Sequence, residues 1–170
     1  DAVDPLALQE RRDVRSEGRV RIRAAGRRRR SCVKMAWSEI KHRARLVKDY
    51  GSVPPVQANE SRLGQVFINL LENALKFTPP NGLISVELKQ MENKCSLIVS
   101  DTGIGIPLED QPHLFERFHR GRNASEYAGN GLGLAIVKAI VNGHKGSVTI
   151  ESQPGQGTQV HVSIPTASEN

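Results

Sequence analysis

The chain has 170 residues with 24 basic and 18 acidic side chains, a length that favours one domain with a sizeable core. Its two cysteines, Cys32 and Cys95, belong to no C-x-x-C pair or His/Cys cluster, which argues against a disulfide framework or a zinc site and fits a reducing compartment. No apolar run of 18 residues and no signal peptide are visible, so we expect a soluble, cytoplasmic chain without a membrane segment.

The positive charge is concentrated at the N-terminus. Residues 1–30 hold ten arginines and five acidic residues, whereas residues 31–170 hold 14 basic and 13 acidic ones. Because the body is nearly neutral, we expect no nucleic-acid-binding surface across it. We interpret 1–31 as a basic tail, linker or poorly ordered helix, although such a segment could also touch nucleic acid or anionic lipid, or be foreign to the domain. The chain begins with aspartate rather than methionine, as expected of a fragment.

Helical spacing begins after residue 31. The stretch "SCVKMAWSEIKHRARLV" places Val33, Ala36, Trp37, Ile40 and Ala44 on one side, which predicts a first helix. "LVKDYG" then predicts a short strand, followed by the breaker "SVPPV". A second helix is predicted from about Glu60 to Phe77, before Pro79 and Pro80.

The second half of the chain alternates strands with a loop and a helix. "LISVELKQ" and "CSLIVSD" predict a hairpin connected by "MENK". Residues 108–130 are polar around "LFERF" and predict a mobile loop, and residues 132–142 predict a third helix. "GSVTIES" and "TQVHVSIP" predict two more strands around "QPGQG". The sum predicts an α/β two-layer sandwich over 32–165, with a mixed sheet of about five strands and about three helices on one face, and a tail at 166–170.

A narrow polar stripe runs along the second predicted helix. At about 100° per residue it contains Arg62, Gln65, Asn69, Glu72, Asn73 and Lys76. Asparagine is a poor helix former, so two of them four residues apart near mid-helix require a reason. The stripe alone fits either an ordinary solvated face or a binding surface.

Two glycine-containing segments follow predicted strands. Asp101 stands at a strand end before Gly103 and Gly105, where its carboxylate could accept a hydrogen bond from an adenine amino group, or simply form a turn. Gly155, Gly157 and Thr158 in "GQGT" read most simply as a hairpin turn.

Glycines also precede the third predicted helix. Gly129, Gly131 and Gly133 lie where free backbone N–H groups and the helix dipole favour phosphate. No P-loop string occurs, and the G-x-G-x-G run follows a polar loop rather than a strand, so a dinucleotide fingerprint is also excluded. A flexible lid over an anion remains.

Taken in order, these elements form a recognisable set. N-x-x-x-N on a helix, D-x-G-x-G-I-P, F-E-R-F, G-x-G-L-G-L and G-x-G-T occur in one chain. The set resembles the catalytic and ATP-binding domain of sensor histidine kinases, a Bergerat-type fold shared with gyrase, mismatch-repair and chaperone ATPases. The resemblance covers about residues 32–165.

The resemblance implies a set of ATP and Mg²⁺ contacts. In that family the asparagines matched by Asn69 and Asn73 meet the Mg²⁺ on the ATP phosphates, Asn73 being the firmer ligand, and an amide oxygen suits this hard cation. Lys76 would reach phosphate, Phe77 would lie near the base, and Asp101 would select adenine. The implied ATP-binding residues are Asn69, Asn73, Lys76, Phe77, Asp101, Gly103, Gly105, Ile106, Arg117, Arg120, Gly129, Gly131, Leu132, Gly133, Leu134 and Thr158. Arg117 and Arg120 could reach the phosphates or be solvated lid charges.

The choice between kinase and ATPase depends on Asn69. In the hydrolysing relatives the matched residue is a glutamate that activates water, and an amide cannot take a proton. The resemblance therefore implies phosphoryl transfer to a histidine, with Asn69 and Lys76 as catalytic residues. The five histidines here (His42, His113, His119, His144 and His161) lie outside any phosphoacceptor box. The acceptor would lie on a separate dimerisation domain, with a response regulator downstream.

Two other classes stay open. A serine kinase of the anti-sigma type shares this ATP site but phosphorylates a partner's serine. A non-catalytic, ATP-responsive module is possible because residues 1–30 do not resemble a dimerisation helix.

Overall fold

The computed structural model describes residues 19–20, 44–54 and 56–166. Their strands and helices are β1 (Arg19–Val20), β2 (Ala44–Tyr50), β3 (Val56–Gln57), α1 (Glu60–Phe77), β4 (Gly82–Met91), β5 (Lys94–Asp101), α2 (Gly133–Gly143), β6 (Ser147–Gln153) and β7 (Gly157–Pro165). Two short 3₁₀ turns, Gln111–His113 and Arg122–Ala124, interrupt the long connection between β5 and α2. The predicted second and third helices and the four strands around them are confirmed.

Five strands form one mixed sheet in the order β2-β4-β5-β7-β6. β2 pairs with β4 in parallel, and the other neighbours are antiparallel. Alternate strand residues such as Ile84, Val99 and Val162 share one core with Leu70 of α1 and Val137 of α2. Both helices therefore cover the same face of the sheet, and the predicted two-layer α/β sandwich is confirmed. No helix in the described part of the chain combines the length and apolar character needed to cross a bilayer.

The ends of the two helices are joined through one histidine. Asn59 caps α1 by accepting a hydrogen bond from the Arg62 N–H at 3.0 Å, as an N-cap asparagine is expected to do. The Asn59 N–H donates to Nε2 of His144 at 3.1 Å, and Nδ1 of His144 lies 2.7 Å from the carbonyl oxygen of Ile140. Because a carbonyl only accepts, Nδ1 carries the ring proton. The neutral ring thus bridges the start of α1 and the end of α2.

The prediction of the first helix is wrong at its C-terminal end. Residues 31–43 lie outside the described part, but Ala44, which helical spacing assigned to this helix, begins β2. All seven residues of β2 pair with β4, from Ala44 opposite Gly82 to Tyr50 opposite Leu88. Sheet pairing therefore overrides the helical periodicity at this point. The small antiparallel pairing of β1 with β3 has no counterpart in the sequence-based prediction.

Candidate functional site

A cavity of about 500 Å³ lies between the C-terminal half of α1, the loop after β5, the segment 108–130 (hereafter the lid) and the start of α2. Its volume is within the range of small-molecule sites. Most of the predicted site residues line it: Asn69, Asn73, Lys76, Phe77, Asp101, Gly105, Ile106, Arg120, Gly129, Gly131, Leu132, Gly133, Leu134 and Thr158. Sequence motifs up to 89 residues apart thus meet at one place.

Two predicted residues do not line the cavity. Gly103 is packed against two residues that do line it, because a Cβ there would be 2.5 Å from the Phe77 carbonyl oxygen and 2.7 Å from Oδ1 of Asp101. Its role here is to permit that close approach. Arg117 is exposed and is not among the lining residues, so its contact with a ligand stays a prediction.

The polar stripe of α1 forms one wall of the cavity. Asn69, Glu72, Asn73 and Lys76 all line it, so this part of the stripe is not an ordinary solvated face. The Asn69 Nδ2 donates to the Gly133 carbonyl oxygen at 3.3 Å, which ties α1 to the first residue of α2. This bond uses the amide nitrogen and leaves the amide oxygen of Asn69 as the group available to a ligand.

Positive charge gathers near the second half of the lid. Burial lowers the pKa of Lys76, with a further lowering from Arg120 and an opposing effect of Glu72. Nζ of Lys76 lies 4.5 Å from the centroid of the Phe77 ring. A Cβ added at Gly129 would lie 2.8 Å from the same Nζ atom. The ammonium group and the glycine-rich backbone are therefore adjacent, an arrangement suited to an anion.

Asp101 presents a carboxylate to the cavity. Oδ1 accepts a hydrogen bond from the Gly103 N–H at 2.8 Å. Burial raises the pKa of Asp101, while backbone hydrogen bonds from Gly103 and Thr158 act in the opposite direction. The group is thus a partly buried acceptor whose orientation is fixed by its own loop, which fits it to receive a hydrogen bond from a ligand.

The turn between β6 and β7 supports the loop that follows Asp101. A Cβ at Gly105 would overlap the carbonyl oxygen of Gln153, and one at Gly157 would overlap that of Asp101. The Gly155 N–H also donates to the Ile104 carbonyl at 2.8 Å. The "GQGT" stretch is the predicted hairpin turn, and it also interlocks with the loop that carries the carboxylate.

The lid is closed at its base by a backbone hydrogen bond. The Phe118 N–H donates to the Gly131 carbonyl at 3.0 Å, and both residues have positive φ, 64° and 70°. Within the lid, Nη2 of Arg120 donates to the carbonyls of Ala124, at 2.8 Å, and Tyr127. α2 begins at Gly133 without a side-chain cap. Its first N–H groups are therefore available at the cavity, next to the lid glycines.

Sequence reasoning missed several residues around this cavity. Asn123 donates through Nδ2 to the Gly105 carbonyl at 2.9 Å, and Tyr127 packs its ring against Phe77. His119 also lines the cavity, and its buried Nε2 lies 3.8 Å from Oδ1 of Asp110 and has no hydrogen-bond partner among the described residues. Glu72 also lines the cavity and was not predicted as a site residue, although its place on the polar stripe could have indicated it. The others lie in a loop without periodicity.

Comparison with known proteins gives one consistent result. Residues 58–168 match the family model described as histidine kinase-, DNA gyrase B-, and HSP90-like ATPase. The adaptive-response sensory kinase SasA of Microcystis aeruginosa is 40% identical over 114 residues, which cover 66% of this chain and 30% of SasA. The chain thus spans less than a third of that curated relative.

Solved structures agree with this match. The structure of the mycobacterial sensor histidine kinase MprB has a TM-score of 0.68 and 32% identity, covering 79% of this chain and 93% of that one. The nucleotide-free catalytic domain of histidine kinase ThkA has a TM-score of 0.69 and 28% identity, covering 81% and 90%.

Proposed function

Because this chain belongs to the family of histidine kinase-, DNA gyrase B- and HSP90-like ATPases, we propose that it binds Mg-ATP as the catalytic domain of a two-component sensor histidine kinase. One observation carries the proposal. A single cavity unites the N-x-x-x-N stripe, the Asp101 carboxylate and the glycine-rich start of α2. Its relatives SasA and MprB are named sensory kinases, which supports the same function here.

The cavity residues offer a chemically suitable partner to the adenine, the Mg²⁺ and the phosphates of the nucleotide. Asp101 would accept a hydrogen bond from the adenine amino group, since it is an oriented acceptor at the cavity wall. Asn73 and Asn69 would offer amide oxygens to Mg²⁺, which favours oxygen ligands and retains water and phosphate among them. Lys76, Arg120 and the backbone N–H groups of 129–133 would balance the phosphate charge, with Arg117 as a further predicted contact.

Asn69 favours transfer over hydrolysis. A general base must take a proton, and the amide of Asn69 cannot, because the lone pair of its nitrogen is delocalised into the carbonyl group. In the absence of an activated water molecule, the γ-phosphoryl group is available to a nucleophile supplied from outside the site. Positioning and charge stabilisation by the cavity residues then carry the reaction.

The histidine that accepts the phosphoryl group would lie on another domain. Among the described residues, His144 bridges the two helices, His161 lies 2.6 Å from the Ser96 hydroxyl, His113 lies 2.8 Å from Glu116, and His119 lies 3.8 Å from Asp110. His42 lies outside the described residues. We therefore propose a histidine-bearing dimerisation domain, in the same longer protein or in trans, and a response regulator as partners in the cytoplasm.

A transfer assay tests this proposal against its alternatives. The chain is incubated with Mg-ATP labelled at the γ-phosphate and with a histidine-bearing dimerisation domain of a related sensor kinase. Acid-labile, base-stable phosphate on that domain is the expected result. Acid-stable phosphate on a protein partner would identify a serine kinase of the anti-sigma type. Binding of Mg-ATP without transfer to any partner would identify a non-catalytic module.

A further inference from the structure

The lid packs an aromatic side chain, Tyr127, against Phe77, which lines the cavity, while Tyr127 itself lies between the lining residues Ala124 and Ala128 in the chain. The ring of Tyr127 packs against that of Phe77, with centroids 5.1 Å apart and the planes inclined at 59°. The backbone of Tyr127 is held on both sides. Its N–H donates to the Ala124 carbonyl at 3.1 Å, and its carbonyl accepts from Arg120. The ring is therefore placed by a folded piece of lid rather than by a free loop.

This part of the lid is attached to the loop after β5. Nδ2 of Asn123 donates to the carbonyl oxygen of Gly105 at 2.9 Å. The Ile104 N–H donates to the Phe77 carbonyl at 3.1 Å, and the Phe77 carbonyl and the Asp101 carboxylate both approach Gly103. Asp101, Phe77 and the 121–127 piece of the lid thus gather at one end of the cavity. The lid glycines that follow, from Gly129 onward, lie by Lys76 and the start of α2.

We propose that Tyr127 contacts the nucleoside of the bound nucleotide and supplies a second aromatic surface beside Phe77. The inference rests on the proposed function, because it concerns the same nucleotide. Aromatic rings bind planar heterocycles through stacking and edge contacts. Tyr127 packs on Phe77, whose carbonyl oxygen approaches Gly103 together with the Asp101 carboxylate that would fix the base. Two successive segments then contact different parts of the nucleotide: residues 121–127 of the lid contact the nucleoside, and the glycine-rich residues 129–133, from the end of the lid to the start of α2, contact the phosphates.

The experiment compares ligands with and without a nucleoside. Affinities for Mg-ATP are measured by calorimetry, and those for Mg-tripolyphosphate by competition, in the unchanged chain and in Tyr127→Ala. We expect Tyr127→Ala to weaken Mg-ATP binding about tenfold, as removal of an aromatic contact to a base does. Tripolyphosphate affinity should change by less than about twofold in the same variant.

Two further variants serve as controls. Tyr127→Phe keeps the ring and should restore most of the affinity that the alanine variant loses. Tyr50→Ala removes an equal side chain from the edge strand β2, where Tyr50 is 46% exposed and outside the cavity, and should leave Mg-ATP affinity unchanged. Circular dichroism and thermal unfolding establish that each variant folds.

Three outcomes would overturn the proposal. Unchanged Mg-ATP affinity in Tyr127→Ala would show that the ring touches only the protein. A parallel loss of tripolyphosphate affinity would show that it acts by positioning the lid, and tighter ATP binding would show that it blocks the site. Failure of the unchanged chain to bind Mg-ATP is a separate result, which would instead refute the proposed function.

Discussion

At the scale of single residues, Asp101 combines its proposed role in nucleotide binding with a cost in stability. Burial raises its pKa, so the folded chain binds this proton more tightly than the unfolded chain does. The stabilisation from this group is present below the ordinary pKa of 3.8 and is lost as the pH rises through the raised folded value. At neutral pH the ionised carboxylate therefore opposes folding. Such a group persists when it serves binding.

Asp101→Asn separates the two effects. The amide oxygen can still accept the Gly103 N–H, but the side chain no longer offers an anionic acceptor to a ligand. We expect Mg-ATP affinity to fall about 10- to 100-fold, while the free energy of unfolding at pH 7 stays the same or rises. Calorimetry and urea denaturation at pH 7 and pH 5 measure both quantities, and the stability difference should shrink at the lower pH. A clear loss of stability at pH 7 would contradict this account.

At the scale of elements, the turn between β6 and β7 acts as a support for the Asp101 loop. Gly155 and Gly157 both have positive φ, 74° and 97°, but only at Gly157 would an added Cβ meet the loop, because one at Gly155 lies more than 4 Å from the described residues. The two positions form a matched pair for substitution. Gly155→Ala should cost about 1 kcal/mol of unfolding free energy for the strained backbone alone.

Gly157→Ala should cost more, about 2–4 kcal/mol, because its methyl group would overlap the Asp101 backbone as well. It should also weaken Mg-ATP binding by displacing the carboxylate, whereas Gly155→Ala should not. Denaturant unfolding and calorimetry on both variants provide the comparison. Equal stability and equal affinity in the pair would mean that the turn does not support the loop.

The His144 bridge between α1 and α2 is a second feature at the scale of elements. His144→Ala removes the acceptor of the Asn59 N–H and the donor to Ile140. We expect a loss of about 1–3 kcal/mol in the free energy of unfolding, because a partly buried backbone N–H is left unsatisfied. His113→Ala is the control, since His113 is an exposed residue of the lid and should change stability little. The idea fails if the two variants are equally stable in urea.

The elements also show how far sequence reasoning reaches. α1, α2 and the hairpin strands repeat apolar residues with their own period, so local pattern was enough to predict them. Ala44 fits a helical period but lies in β2, because it pairs with Gly82 of β4. That partner is 38 residues further along the chain, so a local pattern could not predict the pairing. The contacts of Asn123 and Tyr127 could not be predicted from the sequence either. Their partners, Gly105 and Phe77, are set by how the lid folds back.

At the scale of the whole molecule, the sheet and two helices form a scaffold from which the site residues project. α1 carries the asparagines, β5 ends in Asp101, and α2 begins at the lid glycines, so a ligand would touch three elements of one core. A ligand that binds only the folded chain stabilises all of it. Mg-ATP at about a hundred times its Kd should therefore raise the free energy of unfolding by about 2.7 kcal/mol.

Asn73→Ala tests whether that coupling passes through the proposed magnesium site. Asn73 lines the cavity and is partly exposed, so the variant should fold with nearly unchanged stability in the absence of ligand. It should show no Mg-dependent stabilisation by ATP at a concentration that stabilises the unchanged chain. Chelation of Mg²⁺ by EDTA should reduce the unchanged chain to the level of the variant, because the amide oxygen then has no cation to hold. If the folded variant retained the full Mg-ATP shift in denaturant unfolding, the metal would have to be held elsewhere in the cavity, and the assignment of Asn73 would be wrong.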